Sequence, residues 1–339
     1  MKNAFPRGLV AALSLILVLA AGVLAAEDKP TAAPVTSTSA FKLTGYTQAR
    51  FGLVNDDYAT LFNNSGPTSF QIYRARFGLE GEIVKNISFK VVVDAVKSPV
   101  LIDAMIDFNL IKGGFLRAGQ FKVPFSQENL ISASLLDTIN FAQVVTKLVP
   151  GRDIKASGRD IGVMADYKWG TLEGMVGLFN GQGINTVDLD AKKDIAARLT
   201  WAPLSYLSVG VSEYLGHSLF AANVPTVKRD RTGLEAAFNY SDFMVKAEYV
   251  KAWDGIKTAY GWYVTGGYFA LPKQLQLILR YDSYDKSLQA VGDRSDLVVL
   301  GCNWFFSSRT KFQINCELGK LESKSLVFSA LLGQFQVGF

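Results

Sequence analysis

The lengths of the connections between alternating segments constrain this chain more than any single motif. Sixteen short segments can be marked in which apolar and polar residues alternate, from Phe41–Val54 to Ser325–Phe339. In one of them Ile87, Phe89, Val91, Val93 and Ala95 are separated by Ser88, Lys90 and Asp94. In another, Ile161, Val163, Ala165, Tyr167 and Trp169 alternate with Asp160, Gly162, Asp166 and Lys168. Period two over such lengths predicts strands. Tight turns follow the even-numbered segments: Lys85-Asn86, Lys112-Gly113, Gly170, Ala202-Pro203-Leu204, Ser241-Asp242, Leu271-Pro272 and Ser307-Ser308. Longer polar connections follow most odd-numbered ones, such as Asn55–Ser69, Gly181–Lys193, Ser218–Arg229 and Lys286–Asp293. A soluble sandwich has no reason to sort loop lengths by parity. An outer-membrane β-barrel has one, because its periplasmic rim carries short turns and its outer rim long loops.

Both ends of the chain agree with that reading. The last segment alternates Leu331, Gly333, Phe335, Val337 and Phe339 with Leu332, Gln334, Gln336 and Gly338, so one set faces lipid and the other the lumen. At the other end, residues 1–26 read as a secretory signal: Lys2 and Arg7 form the positive region, Leu9 to Leu24 is almost wholly apolar, and Val23-Leu24-Ala25-Ala26 offers small residues for cleavage. The competing reading is a single transmembrane anchor. Residues 27–40 (EDKPTAAPVTSTSA) have the composition of a flexible periplasmic leader. Residues 41–339 are then one barrel. Beyond residue 26 no apolar run is long enough for a helical span, although 49% of all residues are hydrophobic.

One connection breaks the pattern. Residues 126–158 are much longer than any other loop and carry apolar residues at helix-like spacing: Leu130, Ile131, Leu135, Ile139, Phe141 and Val144. A loop so long and apolar is expected to bury that face. Folded into the barrel, it would narrow the pore. The alternative is an outer lid or a subunit-contact loop.

The sequence resembles the porin O/P family, the phosphate-selective outer-membrane porins. The resemblance rests on Tyr73-Arg74-Ala75-Arg76-Phe77-Gly78-Leu79-Glu80-Gly81 and on Leu116-Arg117-Ala118-Gly119-Gln120-Phe121-Lys122-Val123-Pro124-Phe125. Gly158-Arg159-Asp160-Ile161-Gly162-Val163 and Gly177-Leu178-Phe179-Asn180-Gly181 continue it, in matching order over roughly 41–339. It implies a trimer of 16-stranded all-β transmembrane antiparallel barrels in the outer membrane of a Gram-negative bacterium. It also implies a third outer loop that constricts the channel, and basic pore-lining residues that favour phosphate. The motifs are strand and turn signatures, and none fixes those basic positions one by one.

Alternation supplies candidates instead. Arg50, Arg74, Arg76, Lys90, Arg198, Lys246 and Arg280 fall on the inward set, and Arg50, Arg74 and Arg76 are expected to form one basic patch. The long loop adds Lys147, Arg152, Lys155 and Arg159. A narrow, low-dielectric pore focuses the field of such a patch on small anions, and Arg offers paired donors that match phosphate. Inward acids compete: Glu80, Glu82, Asp94, Asp103, Asp107, Asp166, Glu235, Glu248 and Asp282, with Glu80 expected opposite Lys90 and Asp94 opposite Arg76. The expected function is passive diffusion of small hydrophilic solutes, anion-preferring and in the narrowest form phosphate-selective. The alternative is a general, weakly selective pore.

Tyr46, Tyr73, Tyr167, Trp169, Trp201, Tyr240, Trp253, Trp262 and Trp304 lie near strand ends and read as interfacial girdles. Tyr46 and Tyr263 are the aromatics that could instead face the lumen. Cys302 and Cys316 are expected outward, diagonal to each other and unbridged. An enzyme barrel would have to rely on His217, the single histidine, with Ser218 beside it, yet adjacent strand residues face opposite ways. Nothing in the sequence suggests a cofactor, a His-based metal site or a nucleic-acid partner. The expected partners are outer-membrane lipid, lipopolysaccharide, further copies of the chain and small anions such as phosphate.

Overall fold

The computed structural model describes residues 41–61, 68–155, 157–218, 226–322 and 326–339. The expected signal and leader lie outside the described residues. Sixteen strands follow in chain order: β1 (Lys42–Val54), β2 (Thr68–Val84), β3 (Ile87–Asp94), β4 (Leu101–Ile111), β5 (Gly114–Lys122), β6 (Arg159–Trp169), β7 (Leu172–Phe179) and β8 (Asp194–Leu204). The second half comprises β9 (Leu207–Ser218), β10 (Val227–Tyr240), β11 (Phe243–Asp254), β12 (Lys257–Leu271), β13 (Leu275–Asp285), β14 (Arg294–Phe305), β15 (Lys311–Leu321) and β16 (Leu326–Gly338). Each pairs antiparallel with the next, and β1 pairs with β16 to close the barrel. Closure satisfies every strand edge, which a lipid environment requires.

The two faces separate as alternation predicts. In β16 Leu331, Phe335 and Val337 are more than 40% exposed, whereas Leu332, Gln334 and Gln336 are at most 3% exposed. The exposed apolar set is the lipid face, and the other set lines the interior. Glu80 stands opposite Lys90 and Asp94 opposite Arg76, as the alternation register requires. Cys302 and Cys316 are free thiols on neighbouring strands, opposite Ile314 and Leu300 respectively, and so diagonal.

Several expectations need correction. β8 runs through Ala202-Pro203 to Leu204, with an irregularity between Trp201 and Leu204, so the turn falls at Ser205-Tyr206. β5 stops at Lys122, and Val123 and Phe125 enter the interior core instead of continuing the strand. Tyr46 is buried on the inner face and Tyr73 is half-buried, so neither belongs to a girdle. Trp169, Trp201 and Tyr240 are exposed as a girdle requires.

The helix-like spacing in residues 126–158 does not make one helix. The segment consists of α2 (Gln127–Leu130), a 3-10 turn (Ala133–Leu135), α3 (Gln143–Leu148) and α4 (Arg152–Lys155), joined by extended residues; α1 (Asp56–Leu61) lies in the preceding long connection. Capping explains the breaks. Ser126 and Ser132 each turn a side-chain oxygen onto a backbone N–H two or three residues on, which starts a helix, and Ile131 and Leu136 are extended, which ends it. Ala142, Val144, Val145, Leu148 and Val149 pack with Phe121, Met164, Phe179, Tyr214, Val250 and Tyr263 of the inner wall. Burying each of these Val or Leu side chains contributes about 1.5–3 kcal/mol. Leu135, counted in the same apolar set, is 57% exposed.

Candidate functional site

The register slips between β1 and β2. Gln48 pairs with Arg74 and Ala49 with Ile72, which leaves Tyr73 as an extra residue. Such a bulge re-aims a side chain. Here three cations gather on the Tyr73 ring: the Arg50 guanidinium carbon lies 3.4 Å from its centroid, that of Arg74 4.5 Å, and Lys97 Nζ 4.5 Å. The negative face of a tyrosine attracts each of them, but it cannot neutralise their charge.

What the two arginines donate to is neutral. Arg50 donates to Gln334 Oε1 (2.9 Å), Asn140 Oδ1 (3.0 Å) and the Ile139 carbonyl (3.2 Å). Arg74 Nη1 donates to Gln48 Oε1 at 2.7 Å. Arg152 Nε donates to Asn129 Oδ1 at 2.7 Å, with its guanidinium 3.8 Å from the Phe141 ring centroid. Burial lowers the Arg152 pKa, and the fields of Arg159 and Arg74 lower it further, which marks a crowded positive region. Lys122 donates to the Leu130 and Ile131 carbonyls. Among the described residues none of Arg50, Arg74, Lys97, Lys122 and Arg152 forms an ion pair.

The remaining candidates divide differently. Arg76 pairs with Asp94 (3.0 Å), Lys90 with Glu80 (2.7 Å), Arg159 with Asp103 (2.6 Å) and Arg280 with Glu128 (2.5 Å). Arg198 pairs with Glu235, and Lys246 with Asp137 at 2.6 Å. Lys147 is exposed, and Lys155 reaches the Thr186 hydroxyl. The structure therefore brings Arg50 and Arg74 together, with Arg152 and Arg159 in the same field, and leaves Arg198, Lys147 and Lys155 outside the cluster. Lys97 and Lys122 escape sequence reasoning. Lys97 lies in the β3–β4 connection, where no register applies. Lys122 sits on the lipid-facing parity of β5, but at its last residue, where the chain turns.

The segment 126–158 is fastened to inner-wall side chains by two kinds of anchor. One is acidic: Glu128 accepts from Arg280 and from the Ala142 amide (2.7 Å), Glu248 accepts from the Glu128 amide (2.8 Å), and Asp282 from that of Gln143 (2.5 Å). The other is a belt of amides crossing β1, β16, β15, β14 and β13. Gln48 donates to Gln336, Gln334 to Gln313, Gln313 to Asn303 and Asn303 to Gln276, all between 2.8 and 3.1 Å. The belt also donates to the Ala133, Ser134, Leu136 and Asp137 carbonyls. Beside the segment, on the β1–β7 side, lies a cavity of about 730 Å³ lined by Tyr46, Arg76, Arg117, Lys122 and Arg159 among others.

The model of the family described as phosphate-selective porin O and P matches residues 41–217 and 215–325. This chain belongs to that family. It is therefore an outer-membrane porin of a Gram-negative bacterium, a channel built on the closed barrel described above. Solved porins share the fold at low identity. The anion-selective porin from Comamonas acidovorans superposes with a TM-score of 0.68 at 15% identity, covering 89% of this chain and 100% of that one. The trimer form of OmpT from Vibrio cholerae gives 0.65 at 12%, covering 89% and 100%. The outer-membrane channel DcaP of Acinetobacter baumannii gives 0.63 at 13%, covering 92% and 100%. A comparison with curated protein sequences finds no match. Among the described residues of this porin, no group of His, Cys, Asp and Glu could hold a metal ion.

Proposed function

We propose that this porin conducts small anions in preference to cations, along a path narrowed by residues 126–158, with Arg74 as the principal anion contact. The observation that carries the proposal is the set of cations that form no ion pair among the described residues: Arg50, Arg74, Lys97, Lys122 and Arg152. An ion-paired arginine offers a passing anion little net field, whereas one held by an amide oxygen keeps its full charge and its spare donors. Arg74 has the simplest surroundings, one glutamine and one tyrosine ring. Arg50 is next, one residue removed from an acid: Asn140 bridges it to Glu317. Anchoring by Glu128 and the amide belt supports the reading of 126–158 as a constriction rather than an outer lid.

Phosphate is the narrower reading, supported by the family and by the fork geometry of the arginine donors. A weakly selective pore is the second reading, favoured by the ion pairs of Arg76, Lys90, Arg159 and Arg198. Titrating phosphate into a chloride current across a planar bilayer separates the two. Block at millimolar phosphate or below is expected, and Arg74→Gln should raise the half-blocking concentration about tenfold, the worth of one charged hydrogen bond. Conductance that ignores phosphate would leave the second reading standing.

Residues 1–26 would be removed on export, so mass spectrometry of the mature protein should find an N-terminus near Glu27. Trimer formation is supported by the trimer form of the similar Vibrio porin and by the exposed Phe70 and Ile72 beside the exposed Leu53 on β1–β2. Lipopolysaccharide would contact the outer loops and the lipid face.

A further inference from the structure

The inner wall of a water-filled pore is expected to be polar, yet on β3–β7 apolar side chains stand among the charged ones. Val92, Met105, Phe115, Met164 and Met175 occupy inner-face positions on five consecutive strands and line the 730 Å³ cavity. Four of the five are only partly buried, so the packing of the long segment does not use them up; Met164 alone is fully inside. Leu135, 57% exposed, enters the same cavity from the 3-10 turn of the long segment. Met105 is left open by its neighbour: it stands opposite Gly119, whose φ of +124° and contact with the Ala104 carbonyl admit no side chain.

Charge borders this apolar strip on the strip itself. The Arg117 guanidinium carbon lies 4.7 Å from the Phe115 ring centroid and 5.5 Å from that of Phe121, while its Nε and Nη2 donate to Asp107. Lys90 stands opposite Met105 and Arg117 opposite Met164 in the strand register. Lys122, without a carboxylate partner, and Arg76 line the same space. Arg76, Lys90 and Arg117 are paired with carboxylates, so the apolar area beside Lys122 is what suits a solute that has both an apolar body and one negative end. Inorganic phosphate, strongly hydrated on all sides, gains nothing from methionine and phenylalanine.

We propose that this cavity is a transit site for amphipathic organic anions, small carboxylates carrying an aromatic ring or a short alkyl body, which rest on Met105, Phe115 and Met175 with the carboxylate toward Lys122. The inference rests on the anion preference proposed above and names its solute class. Methionine suits the task because its flexible, polarizable thioether adapts to bodies of different shape and packs favourably against aromatic rings.

The test uses the full-length porin in planar bilayers, with chloride current challenged in turn by benzoate, acetate and inorganic phosphate. Benzoate and acetate carry the same charge, so their difference reads the apolar wall alone. We expect benzoate to half-block at a concentration about tenfold below that of acetate. The double variant F115S/M175T should bring the two within about twofold, and M175L, which keeps the apolar surface, should preserve the difference. Equal block by benzoate and acetate in an anion-selective wild-type channel would overturn the transit site while leaving the anion preference intact. A current that is not anion-selective would overturn both.

Discussion

Arg74 and Arg76 stand two residues apart on one face of β2, yet they do different work because their neighbours differ. Arg76 answers Asp94, which is fully buried and also accepts from the Ala75 amide. Arg76→Gln would strand that carboxylate, and breaking a buried pair costs about 3–5 kcal/mol. Its unfolding midpoint should fall clearly in a thermal melt of the detergent-solubilised protein. Arg74→Gln removes no partner of a buried acid, so its melt should stay near wild type while its anion-to-cation permeability ratio drops several-fold. The reverse pattern would mean that Arg74 is structural. Alternation along β2 places both arginines inward, but nothing in the order of residues distinguishes them. The distinction comes from the Tyr73 bulge, which gathers Arg50, Arg74 and Lys97 on one ring and which no repeating pattern announces.

The long segment owes its position to anchors of opposite character. Glu128 compensates the buried Arg280 and caps the Ala142 amide, so Glu128→Gln should weaken one end of the segment without adding bulk. The amide belt holds the other end by donating to backbone carbonyls, which any sequence in the segment would offer. Gln313→Leu combined with Gln334→Leu is therefore expected to loosen residues 133–139 and to be read as larger, noisier single-channel currents and a higher size limit in liposome swelling. Unchanged traces would show that the apolar contacts of Val144, Val145 and Leu148 suffice. Gly158, at φ +71°, closes the segment; a Cβ there would strike Asn129 Oδ1, the acceptor of Arg152. Gly158→Ala should therefore disturb a basic residue of the pore from a distance. The apolar spacing of Leu130 to Val144 does identify a segment with something to bury. It misleads on form, because capping serines at 126 and 132 and the extended Ile131 and Leu136 break it into short turns. Leu135 shows the cost of reading spacing alone, since it points into the cavity.

The barrel itself was legible almost throughout, from particular features that act over many residues at once. Parity of loop length, the alternation from Leu331 to Phe339, and the pairs Glu80–Lys90 and Asp94–Arg76 each follow from period-two geometry, which a closed antiparallel barrel enforces from strand to strand. Net charge is a poorer guide. The formal +5 is a small excess, and inward acids are at least as common as inward bases. On the proposed reading, selectivity depends on which cations remain without a carboxylate, and that is a property of the packed interior. Fields from such groups are screened in the open parts of the lumen, where the Debye length shrinks from about 10 Å at 0.1 M salt to about 3 Å at 1 M. The permeability ratio for anions over cations should accordingly decline between those concentrations and remain above one, since the buried Arg50 and Arg74 are screened least. The most direct test of the account is the zero-current potential of the wild-type porin across a potassium chloride gradient at low ionic strength. A potential of the sign and size set by chloride is the predicted result. A potential near zero, or one set by potassium, would contradict it and would mean that the cations of the inner wall are neutralised after all.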